Sequence, residues 1–409
     1  MKLAEVCNPI TISGRAIPFS DSAEHVGIIR SAEGGNMPHV LGRVSAHTRA
    51  LQGVLHCGLA RGHRGNTAAG LKLERIYGAP VLLSGVAALV LSSPELATLH
   101  QHYKVMVRNL ARLPQNTPEC FIMLMGGTLP ATALVHLGML TLIGMVARLG
   151  PSGILNKLGR HALLTGAPRS WFVQVRHITL KYGLTDPLLV LQQPSTKAQW
   201  KTSCRAAVTK WWLDYYRGEA SHLDSLELFK PHFFSLSKPH RTLTTAGSPY
   251  ETTRAATVTL MLSGRYVTCH RSRLFGPQNP QGCCRLCPAP PGQPPPPGSL
   301  PGQLSPAGTL AHQLLWCTAL QPARDTALRL CNELLACYPL LQPIVQQQLQ
   351  GSPQEALHFL TDPSSCSQVI AAAQAYGEVV YTITHYISRV FCHGNHIMRK
   401  KLLTQKGIL

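Results

Sequence analysis

Negative side chains are scarce in this chain. Its 409 residues include 38 Lys and Arg but only 18 Asp and Glu, a formal charge of +20. Only six of the acids are Asp, at positions 21, 186, 214, 224, 325 and 362, and no two are adjacent. Two-metal nucleotidyl transfer needs clustered carboxylates, so that chemistry is not expected here. A Walker phosphate loop, a Gly-x-Ser-x-Gly elbow and a His-Glu-x-x-His helix are also missing. The 19 histidines could host acid–base chemistry, yet none sits in a recognisable frame with a nucleophile. An enzyme of unrecognised type is therefore a residual reading. Residues 1–14 have no apolar core of a secretory leader, so a cleaved signal peptide is not expected. The 13 cysteines are scattered except for one cluster, which suits a reducing, nuclear or cytoplasmic setting better than a secreted disulfide scaffold.

Apolar residues make up 45% of the chain, enough for packed cores, and the length favours two or three folding units. The acids vanish over long stretches: none lies between Glu33 and Glu74, between Glu119 and Asp186, or between Glu251 and Asp325. A surface drawn from such stretches is positive nearly everywhere. That suits a polyphosphate backbone.

Ile10, Ile12, Ile17 and Phe19 flank a Ser13-Gly14-Arg15 turn, and Val26, Ile28 and Ile29 predict a further strand. From Met37 the period becomes helical. Val40, Leu41, Val44, Leu51 and Leu55 share one face, with His39, Arg49 and His56 opposite. Ser93 is a candidate N-cap, followed by Pro94 and Glu95. The helix it starts places Leu96, Leu99, Tyr103, Met106, Leu110 and Leu113 inward, and Lys104, Arg108 and Arg112 outward. Like charges at that spacing repel, by a few tenths of a kcal/mol per pair, and so invite an anion. A helix over 196–219 is predicted to bury Trp200, Cys204, Val208, Trp211 and Tyr215, and another buries Tyr376, Val379, Val380, Ile383, Ile387, Val390 and Phe391. Residues 230–250 read as a connector with loop character. Residues 288–308, with nine prolines and four glycines, read as a disordered insert.

Cys284-x2-Cys287 places two thiols on one tight knuckle, and His312-x4-Cys317 offers a second pair 24 residues on. Together they supply the four N/S ligands of a tetrahedral, structural zinc site. Loop entropy grows slowly with length, so the insert does not forbid closure. Cys283 could replace Cys284 by a one-residue slip, and Cys331 or Cys337 could replace Cys317.

The run Cys120–Ala147 has no formal charge and is long enough to cross a bilayer. Gly126-Gly127 and Pro130 divide it into a short run and a helix, as in a buried hairpin. An integral membrane protein with one or two spans near 79–91 and 120–147 is the alternative reading.

Several separated motifs, in order, resemble the C-terminal part of a non-LTR (LINE-type) retrotransposon reverse transcriptase. Residues 10–30 look like the end of that family's palm, with His25-Val26-Gly27-Ile28 at its primer-grip strand. His63-Arg64-Gly65-Asn66, the segment Tyr77–Gly85 and the segment Gly126–Leu137 resemble its thumb. Met261–Tyr266, Cys284-x2-Cys287 and His312-x4-Cys317 resemble its zinc-knuckle-like region, though here the gap between pairs is longer. The family's catalytic palm aspartates, expected upstream of the primer grip, have no counterpart. The resemblance implies a mainly α fold: a palm-end β-hairpin at 1–36, a helical thumb at 37–150, a helical connector at 151–262, a Cys/His module at 263–330 and a helical region at 331–409. It implies an RNA- and DNA-binding chain that does not polymerise by itself, with a separate palm-containing reverse transcriptase as a candidate partner. Arg43, Arg49, Arg61, Arg64, Lys104, Arg108 and Arg112 are then the expected phosphate contacts, His25, Val26, Gly27 and Ile28 the primer grip, and Cys284, Cys287, His312 and Cys317 the zinc ligands. A membrane is not an expected partner.

Overall fold

A computed structural model of the chain describes residues 11–12, 15–16, 22–25, 27–31, 34–54, 67–230, 234–266, 284, 286–287 and 309–406. Four short strands come first: β1 Thr11–Ile12, β2 Arg15–Ala16, β3 Ser22–His25 and β4 Ile28–Ser31. They pair as two separate antiparallel ladders, Thr11 opposite Ala16 and Ser22 opposite Ser31. The remaining regular structure is helical. In order, the described α-helices are α1 Met37–Val54, α2 Thr67–Leu73, α3 Ala79–Leu83, α4 Ser93–Leu110, α5 Glu119–Gly126, α6 Ala131–Arg148, α7 Ile154–Thr165, α8 Trp171–Lys181 and α9 Pro187–Gln192. Then follow α10 Lys197–Ser221, α11 Arg241–Thr244, α12 Pro249–Leu262, α13 Gln321–Ala336, α14 Gln342–Gln350, α15 Pro353–Thr361, α16 Ser367–Tyr376 and α17 Val379–Gln405. The mainly α fold with a short β start matches the sequence reading. The Pro/Gly-rich segment 288–308 lies outside the described residues.

The helices divide into two compact units, each discontinuous in the chain. One comprises Met1–Val54, Leu73–Met106 and Leu129–Trp212; the other comprises Leu55–Lys72, Val107–Thr128 and Leu213–Leu409. Residues 37–150, read from the sequence as one helical segment, contribute to both.

In the first unit α6 packs against α8 and α9, burying Val135, Met139, Leu140 and Ile143. Trp200 of α10 is buried there too, and its indole N–H donates to the Leu140 carbonyl at 2.6 Å. A neutral chain runs beside it: the Tyr182 hydroxyl pairs with His136 Nδ1 at 2.7 Å and accepts from the Trp212 indole at 3.0 Å. The α10 core is Trp200, Cys204, Val208, Trp212 and Tyr216, not Trp211 and Tyr215. A step of four from Val208 reaches Trp212 and Tyr216. Tyr215 stays exposed, and Trp211 covers the Lys181 ammonium 4.0 Å from its ring, a cation–π contact.

Helix α1 also departs from its expected face. Val40 and Leu51 are buried as predicted, but Leu41 is exposed and His39 is fully inside. His39 is satisfied by the backbone: Nδ1 accepts from the Ile29 N–H at 3.3 Å, and Nε2 meets the Ser84 carbonyl at 3.2 Å. A buried imidazole with both nitrogens paired is as acceptable to a core as leucine. The α4 cap is shifted by one residue. Glu95 accepts from the Ser92 and Asn36 N–H groups at 2.7 and 2.5 Å. Burial opposes its ionisation, but these donors hold its pKa below the usual carboxylate value.

The apolar run 120–147 is two helices, and they belong to different units. The eight-residue α5 ends at Gly127, which takes φ +59 while the Thr128 N–H reaches back to the Met123 carbonyl at 3.1 Å. This is a Schellman-type stop. A Cβ on Gly127 would lie 1.9 Å from the Lys238 backbone, so glycine is required there. Only α6, with half of its apolar window buried, has the length and composition of a membrane span among the described residues. The 79–91 stretch is the five-residue α3 and a single 3-10 turn, Val86–Ala88, too short to span.

In the second unit α12, α13, α15 and α16 pack on α17. That 27-residue helix buries Val380, Ile383, Ile387, Val390 and Phe391 as predicted. Tyr376 and Val379 are exposed instead, because Gly377 (φ +81) separates α16 from α17 and resets the helical phase.

Candidate metal centre

Cys284 and Cys287 face a π-helical turn, His312–Trp316, whose last carbonyl-accepted N–H is that of Cys317 (to His312, 2.7 Å). One ligand atom from each of Cys284, Cys287, His312 and Cys317 falls within 4.8 Å of all the others, and all four residues are buried. Cys317 Sγ lies 3.2 Å from Cys287 Sγ and 3.9 Å from Cys284 Sγ. Metal–sulfur bonds of about 2.3 Å in a tetrahedron set sulfurs about 3.8 Å apart. No disulfide joins cysteines among the described residues. His312 Nε2 is buried without a hydrogen-bond partner, which a stable core rarely tolerates. The Cys284 and Cys317 thiols hold the Cys287 pKa down, and the Cys284 and Cys287 thiols drive that of Cys317 up. Burial opposes protonation of His312, but Cys284 and Cys287 beside it raise it to about 9. Such crowding of ionisable sulfur around an imidazole is what a bound cation relieves. The cluster fits a metal ion.

The surroundings fix the site. Cys284, Leu286, Cys287, Cys317 and Leu320 form one apolar cluster with Leu403, against which Met398 and Leu402 also pack. The last turns of α17 are therefore anchored on the Cys/His cluster. Of the alternative ligands, Cys283 lies outside the described residues; Cys331 is buried apart from the cluster, and Cys337 is exposed.

The expected phosphate contacts are dispersed. Arg49 is exposed and Arg43 half-buried with its Nε unpartnered. Lys104 is half-buried on α4. Arg108 donates to the Gln115 carbonyl at 3.0 Å and to Asn109 Oδ1 at 3.2 Å. Arg112 lies beyond the end of α4, in a left-handed turn (φ +55), so the three cations do not form one continuous helical stripe. Arg61 and Arg64 lie outside the described residues. Among the primer-grip residues, His25 ends β3, Gly27 occupies the turn with φ +75 and Ile28 opens β4, while Val26 is outside the described residues.

Two buried polar chains escaped the sequence reading. In the first unit, His47 Nε2 meets the Glu74 carboxylate at 3.0 Å and His47 Nδ1 meets His102 Nε2 at 2.8 Å. Glu74 opens a π-helical turn, Glu74–Gly78, a register change that often marks a specialised site. Burial, then the neighbouring His47, push His102 down to about 4. In the second unit, His240 Nε2 approaches Asp362 at 3.4 Å and Ser364 Oγ at 3.1 Å, and Ser364 donates to Asp362 at 2.6 Å. Burial opposes ionisation of Asp362, yet His240 and then His385 hold it down at about 2. His240 sits in the stretch expected to be a loose connector; the signal available was a lone acid, Asp362, inside an apolar segment, which must find a partner.

No protein-family model matches the chain, and no curated protein or solved structure is significantly similar to it.

Proposed function

We propose that the chain is a nucleic-acid-gripping part of a LINE-type reverse transcriptase, and that zinc fastens its C-terminal module. The observation carrying this reading is the meeting of Cys284, Cys287, His312 and Cys317 across a 24-residue gap, at the positions the resemblance assigns to a knuckle. Three thiols and an imidazole favour zinc over hard cations, and four protein ligands leave no open position, so its role is structural. A second line of support is electrostatic. Glu74, Glu95, Glu251 and Asp362 are engaged inside the fold, with His47, backbone N–H groups, Arg389 and His240 respectively, and the half-buried Asp186 pairs with Arg176. Other acids, among them Glu24, Asp214, Asp224, Glu227, Asp325 and Glu333, are exposed, so the electrostatic support is the excess of 38 Lys and Arg over 18 Asp and Glu and the long acid-free stretches. RNA and DNA are the proposed ligands, in the nucleus or cytoplasm, with a palm-bearing polymerase as a candidate partner.

Purified chain should contain about one zinc per molecule, and Cys317→Ser should contain none. Anisotropy titrations with an RNA–DNA duplex should give an affinity that falls steeply with salt, and Arg49→Gln should lower the log–log slope by about one. A salt-independent affinity, or no binding at low salt, would refute the nucleic-acid assignment whatever the zinc content.

A further inference from the structure

Helix α7 is inside out. The residues it buries are Asn156, Gly159 and Leu163. Asn156 donates to the Leu191 carbonyl at 3.0 Å, and Gly159 lies so close to the Phe172 ring that a Cβ would stand 2.6 Å from it. The small and polar face is thus committed to the core. The opposite face presents Ile154 (73% exposed) and Leu158 (53%), with Leu155 on one flank and Leu164 (71%) on the other, next to Lys157. Just before α7, Met145 and Leu149 at the end of α6 are also exposed. Scattered surface leucines need no explanation, but six large apolar residues within 20 positions of chain (145–164) do.

Charge selects the occupant. Lys157 is exposed among these residues, Arg148 and Arg160 are half-buried beside them, Arg169 is exposed on the turn after α7, and no acid occurs between Glu119 and Asp186. A second copy docking through the same face would set like charges against each other. A nucleic-acid strand would match the cations but leave the leucines facing phosphate. An apolar face rimmed by Lys and Arg is the signature of a helix lying in an anionic membrane interface, where leucines enter the acyl boundary and the cations meet headgroups.

We propose that α7, with the end of α6, is a peripheral docking surface for an anionic lipid bilayer. The helix lies in the interface and does not cross it, and the surface is independent of the zinc module and of the nucleic-acid reading.

The test is flotation of the full chain with extruded vesicles of phosphatidylcholine alone or with about one-quarter phosphatidylserine, at about 0.1 and 0.5 M salt. The chain should float with the anionic vesicles at low salt and not with the neutral ones. Ile154→Gln combined with Leu158→Gln leaves the charge unchanged and should weaken binding at least tenfold; Lys157→Gln with Arg160→Gln should weaken it severalfold. If the double Gln variant loses helicity by circular dichroism, Leu158→Gln alone carries the comparison. Failure of the wild-type chain to float overturns the proposal. So does equal flotation of the apolar variant, which would reduce binding to adsorption by net charge, and so does equal binding to neutral vesicles. A wild-type dimer in sedimentation equilibrium that the apolar variant dissolves would assign the face to a second copy.

Discussion

The two units use different means to hold polar groups in their interiors. In the first, the polar atoms beside α6 and α10 are paired without charge, His136 with Tyr182, Tyr182 with Trp212, and Trp200 with Leu140, and the buried carboxylates Glu74 and Glu95 sit apart from them, against His47 and backbone N–H groups. In the second, α17 is pinned by ions. Arg389, 1% exposed, donates to Glu251 at 2.6 Å and to Thr245 Oγ1 at 2.7 Å, Asp362 is buried against His240, and the Cys3His cluster gathers at the far end of the same helix. A neutral bond lost from a core costs little more than itself; a charge left alone costs several kcal/mol. The second unit should therefore be the more brittle of the two.

Metal removal should separate them most. Cys317→Ser, or a strong chelator applied to the zinc-loaded chain, should lower the melting temperature by more than about 10 °C, since structural zinc contributes on the order of 10 kcal/mol in small modules. Hydrogen exchange should accelerate in 379–405 and stay unchanged in α6 and α8; parallel acceleration in both would break the contrast. Next in size is Arg389→Met, which removes one of the two arginines on the Glu251 carboxylate and leaves Arg254 at 2.9 Å. A loss of about 3 kcal/mol in urea unfolding is expected, the low end for a broken buried pair because Arg254 still neutralises Glu251.

Acid sharpens the comparison further. The Asp362 pKa is depressed to about 2, so its pairing contributes stability above the ordinary carboxylate value, and this is lost as pH falls through about 4 toward 2. Roughly 2 kcal/mol is involved, and Asp362→Asn should flatten that limb of the stability–pH curve. Buried neutral imidazoles act earlier. His136 in the first unit and His396 in the second are each pushed down to about 4, in both cases chiefly by burial; an unfolded chain takes up protons at these positions near pH 6.5, so both units weaken between about pH 6.5 and 4. The smallest effect belongs to the neutral bonds: Trp200→Phe should cost about 1 kcal/mol, measured by the urea midpoint, and a cost near that of Arg389→Met would erase the distinction.

Much of the architecture was legible because it is local. The α5 stop at Gly127, the α6 start after Pro130 and the core steps of α10 up to Val208 follow from backbone geometry and helical period acting within a few residues. Legibility failed where a period continued past its evidence. In α10, Trp211-Trp212 and Tyr215-Tyr216 are adjacent aromatics, so spacing alone does not choose between two faces about 100° apart. Buried histidines failed for another reason. His39, His47, His240 and His385 look like surface residues until Ser84, Glu74, Asp362 and Thr242, 45, 27, 122 and 143 positions away, are known to meet them. The candidate ligands were visible because Cys-x2-Cys and His-x4-Cys are local pairs; their convergence was not.

By itself the sequence determined a helical, acid-poor chain with two candidate ligand pairs, since composition, capping and periodicity act over a turn or two of backbone. Tertiary structure alone decided which face of α7 turns outward, which histidines are enclosed and whether the two pairs share one centre. Those outcomes depend on partners distant in the chain, and burial makes an unmatched polar group too costly to leave to chance.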